Sequence, residues 1–475
     1  MRSMTHHRAT WGQIFLSLVL SMVAVGPAAA SPAVDATGTS AAAGLGPALQ
    51  QIIDNKRRSI DIPGISAAVI FGDGSRWSGA SGKASLSTNA AATTQTPFVV
   101  GSITKTFLAT TIMRLVEDGR LALDDPLANW LPGYPNSQNI SLRQLMSHTS
   151  GVFNYFEHRD YNRLVFDRPA HAWQPQEILD TFGRAPYFAP GAGYHYSNTG
   201  FVLLGMVIEK ITGISVGQQF AATLYGPLGL GRTWFQGDGP PPAESAKGYL
   251  LNKSGVFREW SDASGYRPTR SAATVAWTAG GVVANADDLA TSARAVYGGS
   301  LLSPASLAEM TDFARYPAGN YGLGTRRRTM DGHVMHGHSG SLRGFMAGMW
   351  HLVNDNITVV VLTNRGRIDI GPTIVDALIR RILSDTSAPS VPAGLNPAPR
   401  SSRYVDLSWE SSVDNMPGTI RYRVFRDGVA IGIRQATLIY TDRPTAGKHS
   451  YQVRSIDAAG NKSARSPAVS AFAYR

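Results

Sequence analysis

Residues 102–119 read SITKTFLATTIMRLVEDG, and the pattern of this stretch indicates one buried helix. Its apolar residues recur at helical spacing: Ile103, Phe107, Leu108, Ile112, Leu115 and Val116. The spacing predicts a helix from Ser102 to about Asp118, with Gly119 as its C-cap. Ser102 then lies in the first turn. Lys105 follows three positions later on the same face, with about 5–6 Å between the two Cβ atoms.

A serine and a lysine on one buried helix face are suited to act as a nucleophile and its base. Burial disfavours the charged ammonium and lowers the pKa of Lys105, so the amine can accept or relay the Ser102 proton. Free backbone N–H groups at the start of a helix can stabilise an oxyanion. The same two residues also fit a serine N-cap followed by a snorkelling lysine, so this motif alone leaves both interpretations open.

A second polar pair, Tyr196 and Asn198, precedes an apolar helical stretch. Residues two apart in an extended segment point the same way, so the phenol and the amide can enter one cleft. A phenol can shuttle a proton to a leaving group, and an amide can hydrogen-bond both Lys105 and a substrate carbonyl. Residues 134–136 (YPN) and 137–139 (SQN) offer similar patterns, but they lie in a turn rich in Gly and Pro that explains them.

A third element, residues 338–341 (HSGS), leads into an apolar strand. His338 is a donor or cation that can face the cleft, beside Ser339. Gly340 allows a substrate backbone to approach an edge strand closely. The backbone N–H of Ser341 is a candidate second oxyanion donor beside that of Ser102.

Other residues also match functional motifs, but the surrounding sequence favours a structural role for them. Residues 253–255 (KSG) match a related motif, but their surroundings predict a hairpin turn. The spacing of His333, His336 and His338 suits a metal, yet carboxylate support is sparse, and we expect neither a metal nor a cofactor. His148 is expected to satisfy hydrogen bonds at a helix end.

Composition narrows the classes of protein further. The chain has 475 residues and no cysteine, which excludes disulfides, thiol nucleophiles and thiolate metal sites. Its 44 basic and 33 acidic residues give a formal charge of +11, and the densest basic cluster is Arg326-Arg327-Arg328. Because the basic residues are otherwise scattered singly, they favour a solvated basic surface over a polyanion-binding patch, and no nucleic-acid partner is expected.

The first 30 residues predict a secretory signal peptide. Arg2 and Arg8 form a basic start, residues 14–25 are apolar, and residues 28–30 (AAA) offer a cleavage site. Cleavage after Ala30 is expected to leave a periplasmic or secreted protein without a membrane span. An uncleaved anchor is the alternative, although the apolar run is short for a bilayer.

Two folded units are expected after the signal peptide. In residues 31–385, strand hairpins at both ends with helices between them predict an α+β domain with one antiparallel sheet assembled from both ends. Its last strands are apolar on both faces, so helices are expected on both sides of the sheet. Residues 386–399 are rich in Pro, Ala and Ser and predict a linker.

Residues 400–475 contain only strand-like patterns. Alternating apolar residues and regularly spaced turns predict a small all-β immunoglobulin-like sandwich. Trp409, residues 422–428 (YRVFRDG), residues 451–453 (YQV) and residues 457–461 (DAAGN) together resemble a fibronectin type III domain. This resemblance implies a spacer or a module that contacts cell wall or polysaccharide.

Taken together, the three polar motifs resemble the serine β-lactamase and penicillin-binding-protein superfamily. The order S-x-x-K, Y-x-N, H-x-G is similar to that of the class C β-lactamase branch, which also contains DD-peptidases and esterases. The connecting phrases 142–151 (LRQLMSHTSG), 196–205 (YSNTGFVLLG) and 279–289 (AGGVVANADDL) are also similar, and the resemblance extends from about Leu49 to Leu383.

The resemblance implies a role for each residue that matches a motif. Ser102 would be the nucleophile, Lys105 and Tyr196 the base system, and Asn198 and His338 polar groups on the substrate side. It implies a helical region beside an α/β region with the cleft between them. We therefore expect an exported serine hydrolase that forms an acyl-enzyme with a small-molecule or peptide substrate.

Two positions depart from the family pattern. Penicillin-active members usually carry Lys where this chain has His338, and many relatives read LPGF where residues 342–345 here read LRGF. A neutral His binds a carboxylate less firmly than Lys, which favours an esterase, amidase or D-aminoacyl peptidase over a β-lactamase. Arg343 is a candidate substrate-binding residue that would restore the charge, and a solvated arginine is the alternative interpretation. The alternative from another class is a catalytically silent penicillin-binding or cell-wall-binding protein.

Overall fold

The computed structural model describes residues 41–384, 387–399, 403–414, 420–457 and 461–474. The predicted signal peptide, residues 1–30, lies outside the described residues. Across these ranges no single helix is long and apolar enough to cross a bilayer. Helices 198–212 and 216–228 meet that requirement only as a pair bent by 79°, and most of the first of them is buried within the protein.

The described strands, in chain order, are β1 (Gly64–Ile70), β2 (Arg76–Gly82), β3 (Phe98–Val99), β4 (Thr233–Phe235), β5 (Gly248–Leu251), β6 (Phe257–Trp260), β7 (Val282–Ala284), β8 (Arg326–Met330), β9 (His333–Leu342), β10 (Phe345–Leu352), β11 (Ile357–Thr363), β12 (Asn396–Pro399), β13 (Val405–Ser408), β14 (Arg421–Arg426), β15 (Val429–Gln435), β16 (Ile439–Asp442), β17 (Gly447–Ile456) and β18 (Val469–Ala473).

The described α-helices are α1 (Ala41–Ser59), α2 (Thr104–Glu117), α3 (Leu142–Met146), α4 (Tyr161–Phe166), α5 (Pro175–Phe182), α6 (Asn198–Thr212), α7 (Val216–Phe220), α8 (Gly226–Leu228), α9 (Arg270–Gly280), α10 (Ala286–Tyr297), α11 (Pro304–Met310) and α12 (Asp376–Leu383). Short 3₁₀ turns include Gly101–Ile103 and Ser137–Asn139, and π-helical turns lie at Ala221–Tyr225 and Gly371–Val375.

A six-stranded sheet in the order β2-β1-β11-β10-β9-β8 forms the centre of the part of the chain predicted as the α+β domain. Every neighbouring pair is antiparallel, and the N-terminal hairpin joins the C-terminal strands through the pairing of β1 with β11. The predicted α+β class, and an antiparallel sheet built from both ends of the domain, are therefore confirmed. The prediction of one sheet was incomplete, because the short strands also form the sheets β3-β7-β4 and β5-β6.

Strand β11 shows why helices cover both faces of this sheet. All seven of its residues are buried. Val359 and Val361 point to one face and pack with apolar residues of α1 and α12. Val360 and Leu362 point to the other face and join the larger core, and α10 covers that face as well. Each such side chain contributes about 1.5–3 kcal/mol by leaving water, so both faces require a cover.

Helix α2 runs through the larger core, as its apolar spacing predicted. Phe107, Leu108 and Ile112 are all at most 1% exposed. The first residues of the predicted helix form a separate 3₁₀ turn, Gly101–Ile103, that runs directly into α2. At the other end the helix stops before Gly119, whose φ of +67° suits glycine at a C-cap.

The C-terminal region is all-β, as predicted. Its strands form two sheets, β12-β13-β16 and β15-β14-β17-β18. Both contribute to one apolar cluster: Val405, Leu407, Trp409, Tyr422, Val424, Tyr451, Val453, Ala471 and Ala473. The alternation read from the sequence is the alternation that fills this core.

The end of the segment predicted as a linker is part of a sheet. Asn396–Pro399 form β12, which pairs antiparallel with β13 at the edge of its sheet. Proline lacks an N–H donor and is tolerated on edge strands, so a Pro-rich composition does not exclude pairing there. Further back, the Ser390 N–H donates to the Val413 carbonyl at 2.8 Å.

Candidate active site

The turn that presents Ser102 lies directly against strand β9. Gly101 has a φ of +54°, and a Cβ on it would lie 2.6 Å from the backbone nitrogen of Ser341. A Cβ on Gly340 would lie 1.8 Å from the carbonyl oxygen of Val100. Two glycines therefore allow a backbone-to-backbone contact between the Ser102 turn and β9 that a side chain would block.

Lys105 lies fully buried beneath this turn, at 0% exposure. Its amine is 2.7 Å from the Asn198 Oδ1 atom, 2.7 Å from the Ala279 carbonyl oxygen and 3.1 Å from the Ser102 hydroxyl oxygen. Burial, and then the charge of Arg326, hold the pKa of Lys105 well below that of an ordinary lysine.

This geometry orients the neutral amine of Lys105. A neutral amine has two N–H groups and one lone pair, and the oxygens of Asn198 and Ala279 can only accept hydrogen bonds. When both N–H groups donate to these oxygens, the lone pair is left for the Ser102 hydroxyl. The arrangement is suited to removing a proton from Ser102.

Both acceptors of the Lys105 amine are fixed by their own surroundings. The Asn198 side-chain amide donates to Asn154 Oδ1 at 3.1 Å, and its backbone N–H donates to the same atom at 3.1 Å. Ala279 follows a break in α9 at Trp277, whose φ is +35°. A positive φ in a non-glycine residue costs on the order of 1–3 kcal/mol and persists only where packing imposes it.

Tyr196 places a partly buried phenol beside Ser102. The Lys105 amine lies 5.0 Å from the centre of the Tyr196 ring. Burial raises the pKa of Tyr196 above its ordinary value, although a side-chain hydrogen bond with Ser102 acts in the opposite direction. The phenol therefore keeps its proton across the neutral range and can pass it on as an acid.

His338 lies at the same site with a defined tautomer. It is 1% exposed, and burial, followed by the charges of Arg326 and Lys105, holds its pKa well below that of an ordinary histidine. Its Nδ1 atom is 2.5 Å from the Ser339 carbonyl, which can only accept, so Nδ1 carries the proton. The Nε2 atom then accepts from the Tyr321 hydroxyl at 3.1 Å.

The edge of β9 that faces Ser102 has free backbone groups. Among the described strands, the pairing of β8 with β9 ends at Arg326 and Gly337, so the following part of β9 has no partner on that side. In an antiparallel hairpin with a two-residue turn, alternate residues direct their N–H away from the partner strand. Leu342 pairs with Phe345, so the next residue, Ser341, directs its N–H towards the site.

The structure adds residues that the sequence motifs missed. The Arg326 guanidinium lies 5.5 Å from the ring centre of Tyr196 and 5.2 Å from that of Tyr321. No carboxylate pairs with Arg326 in the described part of the chain. The sequence signal for Arg326 was its place in the run of three consecutive arginines. Tyr321 lies outside every motif, so no sequence signal pointed to it.

His148 is also part of the site. Its Nδ1 accepts from the Ser197 N–H at 3.1 Å, which is hydrogen bonding of the kind expected near a helix end. Its ring centre is 4.1 Å from that of Tyr196, and its buried Nε2 has no partner among the described residues. The interpretation from sequence did not foresee this contact with Tyr196.

The competing motifs lie elsewhere. Asn136, with a φ of +59°, precedes the 3₁₀ turn Ser137–Asn139, as expected of turn formers. Lys253 lies in the hairpin turn between β5 and β6, and His333 pairs with Asp355 at 2.7 Å. Within the ranges that the structure covers, no three His, Cys, Asp or Glu side chains converge as metal ligands. Arg343 lies at the β9–β10 turn, with its guanidinium carbon 3.8 Å from the ring centre of Phe166 and 3.6 Å from that of Trp260.

The fold and this cluster define the class of protein: a serine hydrolase in which a buried lysine and a tyrosine accompany the serine. The chain belongs to the Beta-lactamase family, whose model matches residues 49–372.

Several known proteins are similar to the chain. A D-aminopeptidase from Cereibacter sphaeroides is 26% identical over 417 residues, covering 84% of this chain and 72% of the relative. A D-stereospecific amidohydrolase from Streptomyces sp. has a solved structure with a TM-score of 0.61 and 30% identity, and the match covers 70% of this chain and 98% of that one.

Two further relatives match over about a third of their own length. Penicillin-binding protein 4* from Bacillus subtilis is 35% identical over 147 residues, which is 30% of this chain and 31% of the relative. Teichoic acid D-alanine hydrolase from Staphylococcus aureus is 29% identical over 164 residues, 34% of this chain and 39% of the relative.

Proposed function

We propose that this chain is an exported hydrolase that cleaves amide or ester bonds of D-amino acids through an acyl-enzyme at Ser102. The observation that carries the proposal is the Lys105 amine, which two fixed acceptors orient towards the Ser102 hydroxyl. Three of the similar proteins, a D-aminopeptidase, a D-stereospecific amidohydrolase and a teichoic acid D-alanine hydrolase, support the substrate class.

In the first half-reaction the substrate acylates the enzyme. The Lys105 lone pair takes the hydroxyl proton while the Ser102 oxygen bonds to the substrate carbonyl carbon. The N–H groups of Ser102 and Ser341 stabilise the resulting oxyanion. Tyr196 donates its proton to the leaving nitrogen or oxygen, the bond to the leaving group breaks, and the proton on Lys105 returns to the phenol.

The second half-reaction releases the acyl group. Water enters the place of the leaving group and loses a proton to the Tyr196 and Lys105 system as its oxygen bonds to the acyl carbon. The bond to Ser102 then breaks, and the serine oxygen regains a proton. The products are the free acid and the enzyme in its starting state, so no further reactant is required.

The charge in the cleft bears on the substrate. Arg326 is an unpaired cation beside Tyr196 on the described surface, and His338 is neutral. We infer that Arg326 attracts a negative group on the substrate. A neutral His338 binds the carboxylate of a β-lactam less firmly than a lysine would, so β-lactam turnover is expected to be weak.

A substrate panel tests the proposal. The mature protein is assayed with the D- and L-enantiomers of phenylalanine amide and of alanine p-nitrophenyl ester, and with nitrocefin. We expect D-substrates to be hydrolysed faster than L-substrates, and nitrocefin slowly. A preference for L-substrates, or fast nitrocefin turnover, contradicts the substrate class. Absence of turnover together with absence of fluorophosphonate labelling supports the alternative, a catalytically silent binding protein.

Two parts of the proposal concern the ends of the chain. We propose that residues 1–30 direct export and that cleavage follows Ala30, which N-terminal sequencing of the secreted protein tests. We also propose that the C-terminal all-β region is fibronectin type III-like and contacts cell wall or polysaccharide. Co-sedimentation of the full chain with insoluble cell wall, compared with a chain ending at residue 385, tests that role.

A further inference from the structure

The acceptor that faces Lys105 belongs to an amide whose orientation depends on a second amide. Asn198 directs its Oδ1 atom to the Lys105 amine at 2.7 Å and its Nδ2 group to the Asn154 Oδ1 atom at 3.1 Å. An asparagine side chain ends in one acceptor and one donor group, so a half-turn of the amide exchanges the two. A rotated Asn198 would present N–H groups to Lys105, and the amine would lose one of its two fixed acceptors.

A carboxylate fixes Asn154 in the same way. The Asn154 Nδ2 group donates to the Glu157 Oε1 atom at 3.0 Å. An ionised carboxylate can only accept, so this contact turns the donor end of Asn154 to Glu157 and its acceptor end to Asn198. The backbone N–H of Asn198 donates to the same Oδ1 atom at 3.1 Å and favours the same orientation. Because Asn154 is 6% exposed, a rotated amide would bring buried donors face to face.

Glu157 is held in place although it lies at the surface. The Tyr187 hydroxyl donates to its Oε2 atom at 2.6 Å, and the His195 Nε2 atom lies 3.1 Å from both carboxylate oxygens. Burial acts to raise the pKa of Glu157, but these hydrogen bonds and the one from Asn154 hold that pKa below its ordinary value. The carboxylate therefore stays ionised across the neutral range and offers only acceptors.

We propose that Glu157 is a positioning residue for acyl transfer at Ser102. Through Asn154, its carboxylate fixes the orientation of the Asn198 amide, and so the acceptor that turns the Lys105 lone pair towards the serine. The inference rests on the proposed function and deepens it, because it assigns a residue outside the cleft motifs to the control of the base.

Three substitutions of Glu157 separate the need for an acceptor from the need for a charge. The measurement is the second-order rate constant for labelling of Ser102 by a fluorophosphonate. Glu157→Gln keeps an oxygen that accepts from Asn154, so its rate should stay within about twofold of the wild-type rate. Glu157→Lys offers only donors and favours the rotated amide, so its rate should fall by at least about tenfold. Glu157→Ala, in which water replaces the carboxylate, should lie between them.

A role of the Glu157 charge would give a different result. Burial and the charge of Arg326 lower the pKa of Lys105, so the acidic limb of the labelling rate in Glu157→Gln should coincide with that of the wild type. Glu244→Lys controls for charge reversal, because Glu244 is exposed and pairs with Arg232 at 2.8 Å. It should label at the wild-type rate. A rate in Glu157→Gln as low as that in Glu157→Lys, or a shifted limb, would overturn the inference.

A reciprocal exchange tests the contact between positions 154 and 157. In Asn154→Asp the side chain still accepts from Asn198, but it meets the Glu157 carboxylate, so the labelling rate should fall. Adding Glu157→Gln restores a donor opposite an acceptor, and the double variant should label at least about threefold faster than Asn154→Asp alone. Recovery of this kind is not expected of two residues that only stabilise a turn, and its absence would contradict the proposed contact.

Hydrogen exchange separates this inference from the proposed function, because it needs no turnover. In protein with isotope-labelled asparagine, the Nδ2 hydrogens of Asn154 and Asn198 should exchange at least about tenfold faster in Glu157→Lys than in the wild type or Glu157→Gln. If Ser102 is not labelled in any variant yet exchange follows this order, the hydrolytic proposal fails and the orienting role of Glu157 stands. If Ser102 is labelled and both rates are unchanged in Glu157→Lys, the orienting role fails alone.

Discussion

The Lys105 amine lies 3.1 Å from the Ser102 hydroxyl oxygen and 2.7 Å from the Asn198 amide oxygen, which joins two motifs that are 93 residues apart in the chain. Burying an amine is costly unless it is hydrogen-bonded, and Lys105 is the only lysine at 0% exposure in the described ranges. The proposed role of Lys105 as a base would explain this cost in stability, and the following predictions depend on that role.

Removing the base system should reduce catalysis selectively. Lys105→Ala and Tyr196→Phe should each lower kcat by at least about 10²-fold, because each removes a proton-transfer group. The chain offers controls in the competing motifs: Lys253→Ala and Tyr134→Phe should retain the wild-type rate. Steady-state kinetics on a p-nitrophenyl ester measures both. Loss of activity in the controls but not in the first pair would transfer the role to the other motifs.

Arg326 should set the pH at which activity begins. Protonated Lys105 is inactive as a base, so the rate falls as pH drops through the pKa of Lys105. The charge of Arg326 lowers that pKa and the pKa of His338, and Arg326→Gln removes it. Both pKa values should therefore rise, and the acidic limb of the kcat/KM profile should move to higher pH.

The neighbouring Arg327→Gln is the control for this shift, because Arg327 packs instead against Phe313. Its pH profile should match that of the wild type. An acidic limb that stays in place, or moves to lower pH, in Arg326→Gln would rule out this electrostatic account.

The contact between the Ser102 turn and β9 should not tolerate a methyl group. In Gly340→Ala the new Cβ would meet the Val100 carbonyl oxygen at 1.8 Å, so β9 must shift away from the nucleophile. A displacement of about 1 Å from the productive geometry can cost 10²-fold in rate, so kcat should fall by about that factor.

Gly133→Ala is the matched control, because a Cβ there meets nothing within 4 Å. Circular dichroism should show that both variants are folded. Full activity in Gly340→Ala would mean that β9 does not supply an oxyanion donor.

A substitution that destabilises the C-terminal all-β region should leave hydrolysis of a small substrate unchanged. Buried Asp442 accepts from Arg426 at 2.9 Å and from the Tyr451 hydroxyl at 2.8 Å. Asp442→Ala removes the acceptor of both hydrogen bonds and should lower the free energy of unfolding of this region by about 1–3 kcal/mol. The exposed Lys448→Ala should change it by less than about 0.5 kcal/mol.

Thermal unfolding measures this effect. Hydrolysis of a p-nitrophenyl ester at a temperature below the unfolding transition should be unchanged in both variants. Parallel loss of ester hydrolysis in Asp442→Ala would show that the catalytic region depends on the C-terminal sheets.

Local periodicity predicted the parts of the site that lie close in sequence. The spacing of Ser102 and Lys105 depends only on one helical turn, and the alternation in β11 depends only on the strand repeat. The approach of Tyr196 and His338 to this turn depends on long-range packing. The family resemblance, and not the periodicity, predicted that these residues lie in one site.

The parts that the sequence could not predict arise from contacts between distant segments. Arg326 and Tyr321 face Tyr196 because β8 begins beside the cleft, which no local pattern shows. Arg343 is isolated in sequence, and scattered basic residues favoured a solvated surface. The structure instead brings its guanidinium against the rings of Phe166 and Trp260, which come from distant segments.

Mass spectrometry after reaction with a fluorophosphonate tests the central role of Ser102 most directly. We predict one adduct per chain, located by proteolysis on the peptide that contains Ser102, and no adduct in Ser102→Ala. Undiminished labelling of Ser102→Ala, or an adduct on another residue of the wild-type chain, would contradict the assignment of Ser102 as the nucleophile.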